Sequence, residues 1–352
     1  MNLKNFIREN ILNLSPYSTA RDEEWKSDEL EIFLDANENP YDNDYNRYPD
    51  PHQQDLKEAI GKLKKISNEK IFLGNGSDEA IDVIIRIFCE PGRDKIITIK
   101  PSYGMYRKIA TINNVECIEV ALDNKFRLCS KSIFNKVDKD VKLIILCSPN
   151  NPTGNLLNRN EVEKIVEGFE GIVVIDEAFI DFADDEGFLA SLDKYSNLIV
   201  LQTFSKAWGM ANLRIGMAFS SAGIIEYMNR VKFPYNVSGV SQSIAFEQIM
   251  LQIDYKKKEL EEIKEQRGYL INEMKKLHYI RFVYPSDSNF ILIKTLFARD
   301  LYKDLIIEKG LIVRDRSNAF GCEDTLRITV GTPEQNALLI EQMKDYERLT
   351  VC

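Results

Sequence analysis

The chain has 352 residues, and 55 Asp and Glu against 46 Lys and Arg give a formal net charge of −9. That balance excludes a polyanionic partner such as nucleic acid, which needs a basic footprint, but leaves room for small anions held by a few local cations. The composition, 44% hydrophobic and 29% charged, is that of an ordinary globular protein, long enough for two units of roughly 100–200 residues each.

The six cysteines (Cys89, Cys117, Cys129, Cys147, Cys322, Cys352) form no C-x-x-C pair, and the two histidines, His52 and His278, are far apart. Zinc and histidine-rich metal sites are therefore not expected, and the thiols suit a reducing cytosol. The opening MNLKNFIREN lacks the apolar stretch of a secretory signal, and no apolar run reaches the roughly 18 residues of a membrane span. The expectation is a cytoplasmic protein with neither a membrane nor a nucleic-acid partner.

Residues 1–50 are polar and turn-rich, ending in NENPYDNDYNRYPDP, and read as an irregular arm. A helix is expected at about 53–65. KIFLG then leads into a helix at 77–89, and KIITIKP into one near 104–112. VECIEV, VKLIILCSP, GIVVIDEA and NLIVLQT are further apolar, β-rich runs, with the helical NRNEVEKIVEGF between VKLIILCSP and GIVVIDEA. Continuous apolar strands separated by helices predict an α/β fold with a mostly parallel central sheet flanked by helices on both faces.

Residues 240–277 read as one long helix. Beyond Pro285 the pattern becomes a smaller α+β unit: SNFILIKT a strand, ARDLYKDLIIEKG a helix, LIVRD and TLRITVG strands, and PEQNALLIEQMKDYERL a last helix with Pro333 near its start. The expected division is an arm at 1–45 contributing to the small domain and the active site, a large domain at 46–260 and a small domain at 261–352.

Ligands of open parallel sheets bind at the carboxyl ends of the strands. VKLIILC runs into Asn151, GIVVI into Asp176, and LIVLQ into Thr203, Ser205 and Lys206. An amide, a carboxylate, hydroxyls and an amine on one crevice suit pyridoxal phosphate. Its aldehyde takes a lysine amine, its ring nitrogen takes a carboxylate, and its phenolate oxygen takes a donor such as Asn151. A phosphate site is legible where KIFL enters Gly74-Asn75-Gly76-Ser77-Asp78, because a glycine turn opening a helix presents free amides to an anion.

Each of these residues also has a plainer role. One lysine among many is usually a solvated charge, Asn151 suits a turn, and Asp176-Glu177 suits a helix cap or a magnesium site. The magnesium alternative lacks its G-x-x-x-x-G-K-[ST] loop. A dinucleotide fingerprint fails because Glu79 stands where Gly or Ala is needed. The ordered occurrence at successive strand ends favours the pyridoxal-phosphate reading.

SPNNPTG, VVIDEAF and TFSKAWGMANLRIG resemble segments of the fold-type I aminotransferases of classes I and II. Within that family the chain is similar to the histidinol-phosphate aminotransferase branch. That similarity runs through LSPYSTARDE, LDANENPY, NRYPDP, FLGNGSDEAID, IRIFCEPG, PSYGMY, CSPNNPTG, SNFIL, IVRD and LRITVGTPEQN.

The resemblance implies a pyridoxal-phosphate Schiff base on Lys206, with Arg214 on the cofactor phosphate and Tyr103 stacked on its ring. It implies transfer of the amino group of L-histidinol phosphate to 2-oxoglutarate, giving imidazole-acetol phosphate and glutamate, in histidine biosynthesis. Arg314 and Arg327, with Tyr17, are the implied partners of the substrate phosphate, and Asn37 and Asn289 are further contacts. Tyr48 would reach the cofactor phosphate of a second copy, which implies a homodimer. One position departs from the family. Phe179 stands where a tyrosine usually donates to the cofactor phenolate, and the related threonine-phosphate decarboxylases share that phenylalanine. That decarboxylase and a broader aromatic aminotransferase remain the alternatives.

Overall fold

The structure, a computed structural model, describes residues 3–18 and 32–350. Residues 19–23 of LSPYSTARDE, the part of the expected arm at 24–31, and Cys352 lie outside the described residues.

The apolar runs between 70 and 205 all become strands: β1 (Ile71–Asn75), β2 (Lys95–Lys100), β3 (Glu116–Ala121), β4 (Val141–Cys147), β5 (Ile172–Asp176) and β6 (Leu198–Thr203). A further strand, β7 (Ile215–Phe219), was not expected. It is a five-residue run entered directly from the left-handed Arg214, too short to stand out from the preceding loop. The sheet order is β1-β7-β6-β5-β4-β2-β3. The β2–β3, β2–β4, β4–β5 and β5–β6 pairs are parallel, whereas β7 runs antiparallel to both β1 and β6. The central sheet is thus mostly parallel, as the sequence predicts.

The period-2 alternation of a strand explains why these runs are apolar throughout. In β4, Ile144 and Leu146 enter one core while Leu143 and Ile145 enter another on the opposite face, and all four are fully buried. Helices α1 (Glu9–Leu12), α2 (Gln54–Lys64), α3 (Ser77–Phe88), α4 (Met105–Ile112), α5 (Ser130–Phe134), α6 (Arg159–Gly168), α7 (Ala222–Val231) and α8 (Gly239–Met274) accompany this sheet. Ile81, Ile84, Ile85 and Phe88 form the buried stripe of α3, and each such side chain stabilises the fold by about 1.5–3 kcal/mol.

The C-terminal unit holds β8 (Ile280–Val283), β9 (Phe290–Thr295), β10 (Arg314–Asp315) and β11 (Thr325–Thr329) in an antiparallel sheet ordered β10-β11-β9-β8, with α9 (Ala298–Lys303) and α10 (Pro333–Thr350). Three details differ from the sequence reading. LIVRD pairs only over Arg314–Asp315, the expected 298–310 helix splits into α9 and a π-turn at Asp304–Glu308, and β8 was not foreseen because Arg281 and Phe282 are exposed. Strand β9 ties the two sheets together. Its Phe290 and Leu292 pack in a core of the large sheet, while Ile291 and Ile293 pack in the small unit's own core. Among the described residues no helix is long and apolar enough to cross a membrane.

Candidate active site

Strands β4, β5 and β6 are adjacent and parallel, with Cys147 opposite Asp176 and Asp176 opposite Leu201. Their carboxyl ends therefore open on one cleft. The turn after β4 is fixed by Asn150, which is fully buried. Its amide donates to the Pro101 carbonyl (3.0 Å) and the Thr153 hydroxyl (2.8 Å), and its carbonyl accepts from Ser102 (2.9 Å). This pinning presents the next residue, Asn151, to the cleft.

From β5 comes Asp176, whose Oδ2 accepts from the Tyr106 hydroxyl at 2.6 Å and whose Oδ1 accepts the Ala178 amide at 3.0 Å. After β6 the backbone amide of Ser205 donates to the Thr203 hydroxyl (3.1 Å), a tight turn that delivers Lys206 to the same space. Opposite them, β1 ends in the Gly76 turn. Gly76 has φ 80° and donates its amide to the Arg214 carbonyl at 2.7 Å. The positive φ at Gly76 favours glycine, and a Cβ there would also displace the Arg214 guanidinium packed on it. Ser77 and Asp78 begin α3 at the cleft, where the first amides and the positive end of the helix dipole favour an anion.

Tyr103 lines the same cleft and donates to Asp78 Oδ1 at 3.2 Å. Phe179 also lines it, 7% exposed, with the Lys206 ammonium 5.6 Å from its ring centroid and Phe290 meeting it edge-on. From the small sheet, the Arg327 guanidinium donates to Asn151 Oδ1 at 2.6 Å and lies over the Phe290 ring. Arg314 sits directly opposite Arg327 in the β10–β11 ladder, so the two side chains share one face, although Arg314 is exposed.

The electrostatics follow from this enclosure. Lys206 is reached from solvent at the cleft mouth, yet partial withdrawal of its amine from water, and then the Arg327 charge, lower its pKa; Asp176 opposes this. Burial raises the pKa of Asp176, against the hydrogen bonds from Tyr106 and Ala178. Burial first, and then the Asp78 charge, raise that of Tyr103. Burial and the neighbouring Arg316 and Arg314 lower that of Arg327.

Four expected residues lie away from the cleft of their own chain. Tyr48 is half exposed, stacks on Tyr235 (ring centroids 4.5 Å apart), and shares an open groove with Asn37. Tyr17 is 73% exposed, beside Pro51 and Arg230. Asn289 is half-buried just before β9, its carbonyl accepting from Val330. Sequence reasoning missed Ala178 and Cys147, which line the cleft, and the buried Tyr106 behind Asp176. Only Tyr106 carried a local signal, its position one helical turn after Tyr103.

An amine, a buried carboxylate, an amide, a phenol, an arginine and a helix N-terminus around one cleft make up the donor set that a pyridoxal-phosphate enzyme needs, and the residues present fit that group. The comparisons agree. The family model "Aminotransferase class I and II" matches residues 11–343, and the chain belongs to that family, whose cofactor is pyridoxal phosphate. It is 49% identical over 345 residues to a histidinol-phosphate aminotransferase of Parabacteroides distasonis, covering 98% of this chain and 99% of that one. The Bacteroides thetaiotaomicron protein of the same name is also 49% identical, over 346 residues and the same shares. Among solved structures, the histidinol-phosphate aminotransferase of Clostridium acetobutylicum superposes with a TM-score of 0.79 at 27% identity, over 86% of this chain and 91% of that one. The L-threonine-O-3-phosphate decarboxylase of Porphyromonas gingivalis shares the fold, with a TM-score of 0.72 at 23% identity, over 86% of this chain and 91% of that one.

Proposed function

We propose that this chain transfers the amino group of L-histidinol phosphate to 2-oxoglutarate, giving imidazole-acetol phosphate and L-glutamate, in histidine biosynthesis. The observation that carries the substrate is the near-full-length identity to relatives of that name. Bound pyridoxal phosphate supplies an electron sink for the bonds at the substrate's α-carbon.

The chain's own residues do the rest. Lys206 Nζ carries the cofactor covalently at rest and, when free, takes the proton from the substrate's α-carbon; its lowered pKa favours the neutral amine. Asp176 meets the ring nitrogen, Asn151 the phenolate oxygen and Tyr103 the ring face. Gly76, Ser77, Asp78, Thr203, Ser205 and Arg214 surround the cofactor phosphate. Arg327 and Arg314 bind the substrate phosphate and, in the second half-reaction, the carboxylates of 2-oxoglutarate, since a planar guanidinium suits either. Tyr17, Asn37 and Asn289 contact the substrate. Phe179 packs beside the cofactor, with the Lys206 ammonium over its ring, and Phe290 behind it carries Arg327 over its own ring.

The exposed Tyr48 acts on the cofactor phosphate of a second copy, so the working unit is a homodimer, in the cytoplasm. The division at 45/46 and 260/261 belongs to the same reading, and it draws support from the separate core of the C-terminal sheet. Sedimentation of holoenzyme at twice the chain mass is the expected result; a monomer of full activity contradicts the role of Tyr48.

The test of function is a half-reaction screen of holoenzyme with L-histidinol phosphate, phosphothreonine, phenylalanine and glutamate. Histidinol phosphate and glutamate should convert the cofactor to its amine form without release of carbon dioxide. No spectral change with histidinol phosphate refutes the assignment. Carbon dioxide from phosphothreonine would favour the decarboxylase, and a larger response to phenylalanine the aromatic aminotransferase.

A further inference from the structure

We propose that Tyr106 is a positioning residue for this reaction: from outside the cleft, its hydroxyl orients the Asp176 carboxylate and holds it ready for the ring nitrogen of the bound cofactor. The inference rests on the reading of Asp176 given above and assigns that carboxylate its support. Tyr106 lies near the start of α4, is fully buried, and donates to Asp176 Oδ2 at 2.6 Å. The other carboxylate oxygen accepts the Ala178 amide at 3.0 Å. Two donors on two different oxygens fix the carboxylate plane, and of its roughly four lone-pair sites those left over serve the cleft that Asp176 lines. Tyr106 does not itself line that cleft.

The same helix turn couples this support to the cleft wall. Tyr103 and Tyr106 are three residues apart and meet edge to face, centroids 5.5 Å apart at 84°. The ring expected to stack on the cofactor is therefore packed against the ring whose hydroxyl stands behind the carboxylate. Asp176 is fully enclosed, and burial favours its neutral form. Facing it are Tyr106 from α4, Tyr103 just before that helix, Cys147 from the end of β4, Asp78 from α3 and Lys206 from the loop after β6. Of these, the Tyr106 hydroxyl is the foremost influence keeping Asp176 ionised, followed by the Ala178 amide. Burial and the Asp176 charge keep the phenol protonated and hence a donor, and burial keeps the Cys147 thiol neutral. Without the hydroxyl, one carboxylate oxygen is left buried without its donor, and the acid is more readily protonated. A neutral carboxyl no longer favours positive charge on the cofactor ring.

The test compares holoenzyme of wild type, Tyr106→Phe and Asp176→Ala. The readouts are the pH midpoint of the visible absorbance, the cofactor dissociation constant, kcat and KM for glutamate, and the melting temperature of the apoenzyme. Tyr106→Phe should melt within a few degrees of wild type, shift the absorbance midpoint upward, and lower kcat by about tenfold at little change in KM, as for loss of one charge-assisted hydrogen bond. A purely structural tyrosine would lower the melting temperature and leave the midpoint alone. If Asp176→Ala moves the midpoint and Tyr106→Phe does not, the proposal is overturned while the reading of Asp176 stands. If Asp176→Ala leaves it unmoved, both fall. Should Tyr106→Phe fail to fold, 3-fluorotyrosine at position 106, a stronger donor of nearly the same shape, should move the midpoint downward; an unmoved midpoint overturns the proposal.

Discussion

The two walls of the cleft are built differently. The cofactor wall, at the ends of β4, β5 and β6, is buried and hydrogen-bonded in place: Asp176 is 3% exposed and held by two donors, and Asn150 pins the turn that presents Asn151. The side proposed to meet the substrate draws on Arg327, which is anchored through Asn151, and on the exposed Arg314 beside it, while Tyr17 and Asn37, proposed for the same substrate, are exposed and lie outside the cleft of their own chain. Chemistry that must be the same for every substrate is thus fixed by the core of one chain. Recognition is left to residues that a ligand, or a second copy, still has to organise.

The largest expected effect falls on the first wall. Lys206→Ala should lower transaminase activity by about 10⁴-fold, since it removes both the covalent anchor and the proton carrier; steady-state assay of holoenzyme measures it. On the second wall, Arg327→Ala should cost about 10²-fold in kcat/KM for histidinol phosphate, because it removes a charge-assisted pair and also frees Asn151. The exposed Arg314→Ala should cost less. If Arg314→Ala is the more damaging of the two, the anchored arginine is not the dominant one.

Behind the first wall, the buried Glu177 carries a stability cost of its own. Burial pushes its pKa up to about 7, against hydrogen bonds from Gln202 (2.9 Å) and the Phe188 amide (2.5 Å). Between about pH 4.5 and 7 the folded chain keeps a proton that the unfolded chain releases, so stability falls as pH rises through that window, by on the order of 3 kcal/mol, and then levels off. Glu177→Gln should flatten this slope, because an amide does not titrate, and Gln202 can turn its unpartnered buried oxygen toward the new amide. Urea melts of apoenzyme at pH 5 and pH 8 measure it; an unchanged slope contradicts the assignment to Glu177. The smallest effect is expected from Phe179→Tyr. It adds a donor near the cofactor phenolate and should lower the pH midpoint of the holoenzyme absorbance by less than about one unit. An unmoved midpoint would mean that the added hydroxyl does not reach that oxygen.

The same contrast sets what was legible in the sequence. Strands β4, β5 and β6 were readable because both faces are buried, which makes each a nearly continuous apolar run ending in a chemical group. The Gly76 turn was readable because its backbone admits only glycine comfortably. Strand β7 and the two-residue β10 were less so, being a short run entered from an unusual backbone and a pairing too brief to leave a pattern. The bond from Tyr106 to Asp176 spans 70 positions and has no local signature. Tyr17, Asn37 and Tyr48 came from resemblance alone, and within one chain they stay outside the cleft.

The central claim is that this cleft, through Lys206, holds the cofactor. Borohydride reduction of holoenzyme followed by peptide mapping tests it directly. The pyridoxyl label should be found on the peptide containing Lys206 and be absent from Lys206→Ala. Label on any other lysine, or undiminished label in that variant, would contradict the account.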